Sequence, residues 1–139
     1  MQLKNWGEWT EWELLLNVDM KKIPNTPGAY MIAAKHSINR AFGEDQEGIL
    51  DVGESKNLRG RLNAFIGCAQ GSRVSGHMAG WRYREFGFNS RFPLKSLYLS
   101  WHKADSKSAA YRLEESILKE YLKQHSELPP LNYKYNWGG

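Results

Sequence analysis

The chain has 139 residues, 41% apolar and 24% charged, the size and composition of one ordinary globular domain. No run approaches the ~18 apolar residues of a membrane-spanning helix, and six Trp, seven Tyr and five Phe argue against disorder. The N-terminus lacks a signal-peptide pattern, and the single Cys68 excludes an internal disulfide and a cysteine zinc site, so a reducing, cytoplasmic setting is expected.

Residues 5–22 read as a helix, with Trp6, Trp9, Glu13 and Leu16 at helical spacing and Trp12 and Leu15 beside them. The three Trp form either a core-packing ridge or a surface for a protein partner or a second copy of the chain. Pro24-Asn25-Thr26-Pro27-Gly28 breaks the helix. Residues 29–35 and 49–53 read as strands joined by a long polar loop. Ser55 is the expected N-cap of a helix whose apolar stripe is Leu58, Leu62, Phe65 and Ile66, weakened by Gly60 by ~1 kcal/mol. Residues 67–75 read as loop, 77–86 as helix and 94–101 as an alternating third strand. Ser106 or Asp105 caps a long helix to about Gln124, and Pro129-Pro130-Leu131-Asn132 closes the domain. The expected organisation is one small mixed α/β domain: a helical extension over 1–26, a core over 27–132 and a tail over 133–139.

Charge is uneven along this order. The net charge is +4, yet from Glu54 to Arg91 seven bases (Lys56, Arg59, Arg61, Arg73, Arg82, Arg84, Arg91) meet two acids, a local +5 that leaves −1 elsewhere. Arginine suits phosphate because its planar fork donates two parallel hydrogen bonds; a solvated basic face is the competing reading. In the last helix Glu114 is the misplaced residue. On a wheel, Ala110, Ile117, Leu118 and Tyr121 all fall within about 60° of it. A carboxylate on an apolar face needs an ion-pair partner or a cation, and a single carboxylate suits hydrated Mg²⁺.

Four features now stand in a fixed order: Gly28-Ala29-Tyr30, Asp51-Val52-Gly53, Asn57-Leu58-Arg59-Gly60-Arg61-Leu62, and Glu114 followed by Pro130-Leu131-Asn132. The ordered set resembles the GIY-YIG nuclease family. The resemblance implies a three-stranded antiparallel sheet flanked by helices, and hydrolysis of DNA phosphodiesters with Mg²⁺ or Mn²⁺ held by Glu114. It implies that Tyr30 activates water, its pKa lowered by nearby cations, and that Arg61, ahead of Arg59, neutralises phosphate charge. His77 stands where some relatives carry an active-site histidine or tyrosine, and as a base it would titrate nearer neutrality than Tyr30. Lys56, Arg59, Arg82, Arg84 and Asn132 are the expected DNA contacts; Asn132 also reads as a turn-capping amide. Asp51 departs from the family pattern, which has Tyr there. It is read as a second carboxylate for metal or water, as a tolerated change with His77 as the base, or as the mark of a degenerate site that binds DNA or a protein without cutting. Glu54 adds a further negative charge beside the phosphate site.

Overall fold

The computed structural model describes residues 8–132. The elements are β1 (Glu13–Leu14), β2 (Gly28–Ala33), β3 (Ile38–Asn39), β4 (Glu44–Asp45), β5 (Ile49–Ser55), α1 (Leu58–Gln70), α2 (Met78–Glu85), α3 (Phe88–Arg91), β6 (Tyr98–Lys103) and α4 (Lys107–His125). Strands β1-β6-β2-β5 form one antiparallel sheet in that order, and β3-β4 form a small separate hairpin. The architecture is mixed α and β. No helix among the described residues is long and apolar enough to cross a membrane.

Strand β2 is central and fully buried. Tyr30 and Ile32 face a core built with Leu58, Leu62 and Phe65 of α1 and Tyr83 of α2. Met31 and Ala33 face the other way, onto Ile117, Leu118 and Tyr121 of α4. Coverage on both faces explains why the run Ala29-Tyr30-Met31-Ile32-Ala33 is continuously apolar rather than alternating. The register sets Tyr30 opposite Gly53 of β5 and slips between Ile32 and Ala33, so that Asp51 pairs with Ile32 and Ile49 with Ala33.

Several boundaries differ from expectation. The helix expected over 5–22 is absent from residues 8–22, which run as an extended segment with two 3-10 turns. Thr10 N–H donates to the Trp101 carbonyl, Leu15 N–H donates to that of Leu97, and Glu13-Leu14 pair with Leu99 and Tyr98. The outer edge of β6 would otherwise leave its backbone groups unpaired. That need overrides the helical spacing of the Trp residues and adds a fourth strand to the three expected. Trp9 and Trp12 are half-buried against the α4-side core; Trp6 lies outside the described residues. Helix α1 is capped by Asn57, whose Oδ1 accepts from Gly60 N–H, while Ser55 ends β5. Helix α1 runs through Gly67 to Gln70 and stops at Gly71 in a left-handed conformation. The third strand begins at Tyr98 because Leu94–Ser96 form a 3-10 turn after Pro93. Ser106 caps α4 as expected.

Candidate active site

Strand β5 is an edge of the sheet, and a pocket of about 220 Å³ opens beside it. Asp51, Val52, Gly53 and Glu54 line it from β5 and Tyr30 from β2. Arg61 enters from α1 and His77 from the start of α2; Tyr111 and Glu114 enter from α4, and Leu131 and Asn132 from the closing segment. Thus Tyr30, Asp51, Arg61, His77 and Glu114, far apart in sequence, share one concave site.

Its centre is a buried hydrogen-bond chain. Tyr30 Oη donates to Asp51 Oδ2 at 2.6 Å and lies 2.8 Å from His77 Nε2. His77 caps α2, its Nδ1 accepting from Gly80 N–H at 3.2 Å. An Nδ1 that accepts carries no proton, so the neutral ring holds its proton on Nε2 and donates it to Tyr30 Oη. The order of donation is His77 to Tyr30 to Asp51. Gly53 makes room for this chain: a Cβ there would fall 2.5 Å from the Tyr30 phenol.

Burial reverses two expectations about protons. The Tyr30 phenol is not lowered; burial foremost, then the charge and hydrogen bond of Asp51, hold it well above its ordinary value despite Arg61. His77 is not poised near neutrality. Burial, then the charges of Arg61 and Arg73, push it down to about 3, and both its nitrogens are engaged. Of the three groups in the chain, Asp51 titrates nearest neutrality, raised from 3.8 to about 6 by burial against the opposing effects of Tyr30, Arg61 and Arg82. A carboxylate at that value is ionised at pH 7 and still basic enough to take a proton.

Arg61 donates through Nη1 to the Gly76 carbonyl at 2.9 Å, which aims its side chain across the site while other N–H donors remain for a ligand. Arg59 points elsewhere, donating to the carbonyls of Ile23 and Lys21, so of the two arginines it is Arg61 that lines the pocket. Asn132 lines the pocket, with its side-chain amide bonded to β5. Its amide accepts from Val52 N–H at 3.0 Å and donates to the Val52 carbonyl at 2.8 Å, and Leu131 N–H donates to the Leu50 carbonyl. The closing segment therefore pairs with the free edge of β5 as a strand would. Lys56 is exposed; Arg82 lies over the Phe86 ring with its charge acting on Asp51; Arg84 pairs with Glu85. Glu54, the negative charge set against a phosphate site, is paired with Lys107 of α4.

Among the described residues no group of three or more His, Cys, Asp or Glu could hold a metal ion. The carboxylates lining the pocket are Asp51, Glu54 and Glu114. Such a set of hard oxygen donors, with Glu54 taken by Lys107, suits a largely hydrated Mg²⁺ or Mn²⁺ on one or two carboxylates and does not suit an all-protein cage. Sequence reasoning missed Tyr111, although it lies three residues before Glu114 and hence on the same helix face. It also missed the charge that Arg73 exerts on His77, and the Glu54–Lys107 pair, whose partners lie 53 residues apart. No family model matches the chain, and no curated protein or solved structure matches it.

Proposed function

We propose that this chain is a GIY-YIG-like, divalent-metal-dependent endonuclease that hydrolyses DNA phosphodiesters. The observation that carries the reading is the meeting of Tyr30, Asp51, Arg61, His77 and Glu114 in one pocket. The oxygen of a water attacks phosphorus as the bond to the leaving alkoxide breaks. Tyr30 Oη takes a proton from that water and passes its own to Asp51 Oδ2 along their hydrogen bond. No free phenolate forms, so the raised phenol is no obstacle, and Asp51 is the final base. The alkoxide takes a proton from solvent, and the Asp51 proton returns to solvent after release. His77 holds Tyr30 Oη in place through Nε2–H. Arg61 donates to the nonbridging oxygens as charge grows on them. Held by Glu114, a Mg²⁺ or Mn²⁺ would supply Lewis-acid stabilisation of the leaving oxygen.

The reading is tested by nicking of supercoiled plasmid in Mg²⁺ or Mn²⁺, comparing wild type with Glu114→Ala. Nicking by the wild type alone is expected, and equal nicking by both proteins sinks the site. Salt-sensitive DNA binding without cleavage in either metal would instead favour a non-catalytic binding module on the same scaffold.

A further inference from the structure

Beside the site pocket lies a second concavity of about 430 Å³, lined by Val74, Ser75, Gly76, His77, Met78 and Trp81. Its volume falls within the range of small-ligand clefts, and it shares His77 and Met78 with the site pocket. Two of its side chains are apolar residues left in solvent: Val74 is 80% exposed and Met78 46%. Trp81, half-buried, lines the hollow with them. The loop carrying this surface is held in place. The Gly76 carbonyl accepts from Arg61, the Ser75 carbonyl accepts from Cys68 Sγ, and Gly76 turns the chain at φ +111°.

An apolar, aromatic-backed hollow thus adjoins the site pocket, and the Arg61 side chain of that pocket supports the loop of the apolar one. The ligand that fits both has an anionic group for Arg61 and a flat apolar ring beside it, which describes a nucleotide. A base within a continuous duplex is stacked and turned inward, and reaches such a hollow only after unstacking; an unpaired base reaches it at little cost. Thioether and indole surfaces take bases of any sequence, because every base presents a π-face. Building on the nuclease reading, we infer that this hollow is a base-binding subsite for the nucleotide beside the scissile phosphate. The preferred substrate is therefore DNA with an unpaired nucleotide at the cleavage position, as in a bulge, a flap or a single strand.

The test uses the full chain and three fluorescein-labelled oligonucleotides at one salt concentration: a perfect duplex, the same duplex with a one-nucleotide bulge, and the single strand. Wild type is expected to bind the bulged and single-stranded probes about 5- to 150-fold more tightly than the duplex, the range for one stacked base. The surface double variant Val74→Ser/Met78→Ser should bring bulge affinity down to duplex affinity. Trp fluorescence should be quenched by the bulged probe and not by the duplex, with the quench lost in Trp81→Phe. Equal wild-type affinity for bulge and duplex overturns the inference. So does a double variant that keeps the preference, or one that only converts a dimer to a monomer in sedimentation, which would make the patch a self-association surface. Each of these results leaves the nuclease reading standing if plasmid nicking still depends on Glu114; absence of both binding and nicking removes the two together.

Discussion

Replacing Asp51 by Asn should stabilise the protein, and by an amount that depends on pH. Asp51 is 3% exposed, and burial raises it from 3.8 to about 6. Between about pH 4 and 6 the unfolded chain has this carboxyl ionised while the folded protein keeps it protonated. Stability from Asp51 is therefore whole below about pH 4 and falls as pH rises toward 6, at up to ~1.4 kcal/mol per pH unit. The accumulated cost above pH 6 is about 3 kcal/mol. His77 runs the opposite way. Its folded value is lowered from 6.5 to about 3, so its contribution is whole above about 6.5 and falls as pH drops through the same interval. The two slopes nearly cancel in the wild type, which should show almost flat stability from pH 4 to 6. Asparagine keeps an acceptor for Tyr30 Oη and removes the charge. Asp51→Asn should match the wild type near pH 4, gain up to about 3 kcal/mol by pH 7, and expose the His77 slope of ~1.4 kcal/mol per pH unit. Urea denaturation midpoints at constant m, collected from pH 4 to 8, measure this directly. A gain that is equal at every pH, or a loss at pH 7, would refute the argument that Asp51 is a buried carboxylate held ionised at a cost.

Two further outcomes follow from the geometry. Gly53→Ala drives a methyl to 2.5 Å from the Tyr30 phenol; it should cost about 1–3 kcal/mol in chemical denaturation and remove nicking, and a neutral result on both counts would contradict the packing described. The two neighbouring arginines should separate. Arg61→Lys, which loses the planar fork, should lower the nicking rate by about 10²-fold with little change in melting, whereas Arg59→Gln, which loses bonds to two backbone carbonyls, should lower stability with little effect on DNA affinity. The reverse pattern would reassign their roles.

What could be read from the sequence was whatever depended on neighbours along the chain. The wheel put Glu114 on the inward face of its helix, and the helix does present it to the pocket. The breaker at Pro24-Asn25-Thr26-Pro27 sets the start of β2, and Ser106 caps α4. What escaped depended on pairing across the fold. Residues 8–22 carry helical spacing, yet the unpaired edge of β6 recruits them as extended chain. Asn132 reads as a turn residue, yet its amide clamps Val52 across 80 residues. Proton chemistry was the least legible, because it depends on burial. The sequence pattern offers Tyr30 or His77 as the base; in the fold both belong to a buried hydrogen-bond chain that ends at Asp51, the residue that departs from the GIY-YIG pattern.

The most direct test of the central claim is the pH profile of single-turnover plasmid nicking in Mg²⁺ for wild type and Asp51→Asn. With Asp51 as the final base, the wild-type rate rises tenfold per pH unit below about 6 and levels off above it, and the Asp51→Asn rate is about 10²- to 10⁴-fold lower across the range. A wild-type rate that tracks no ionisation near 6, or an Asp51→Asn protein that cuts as fast as the wild type, would contradict that role.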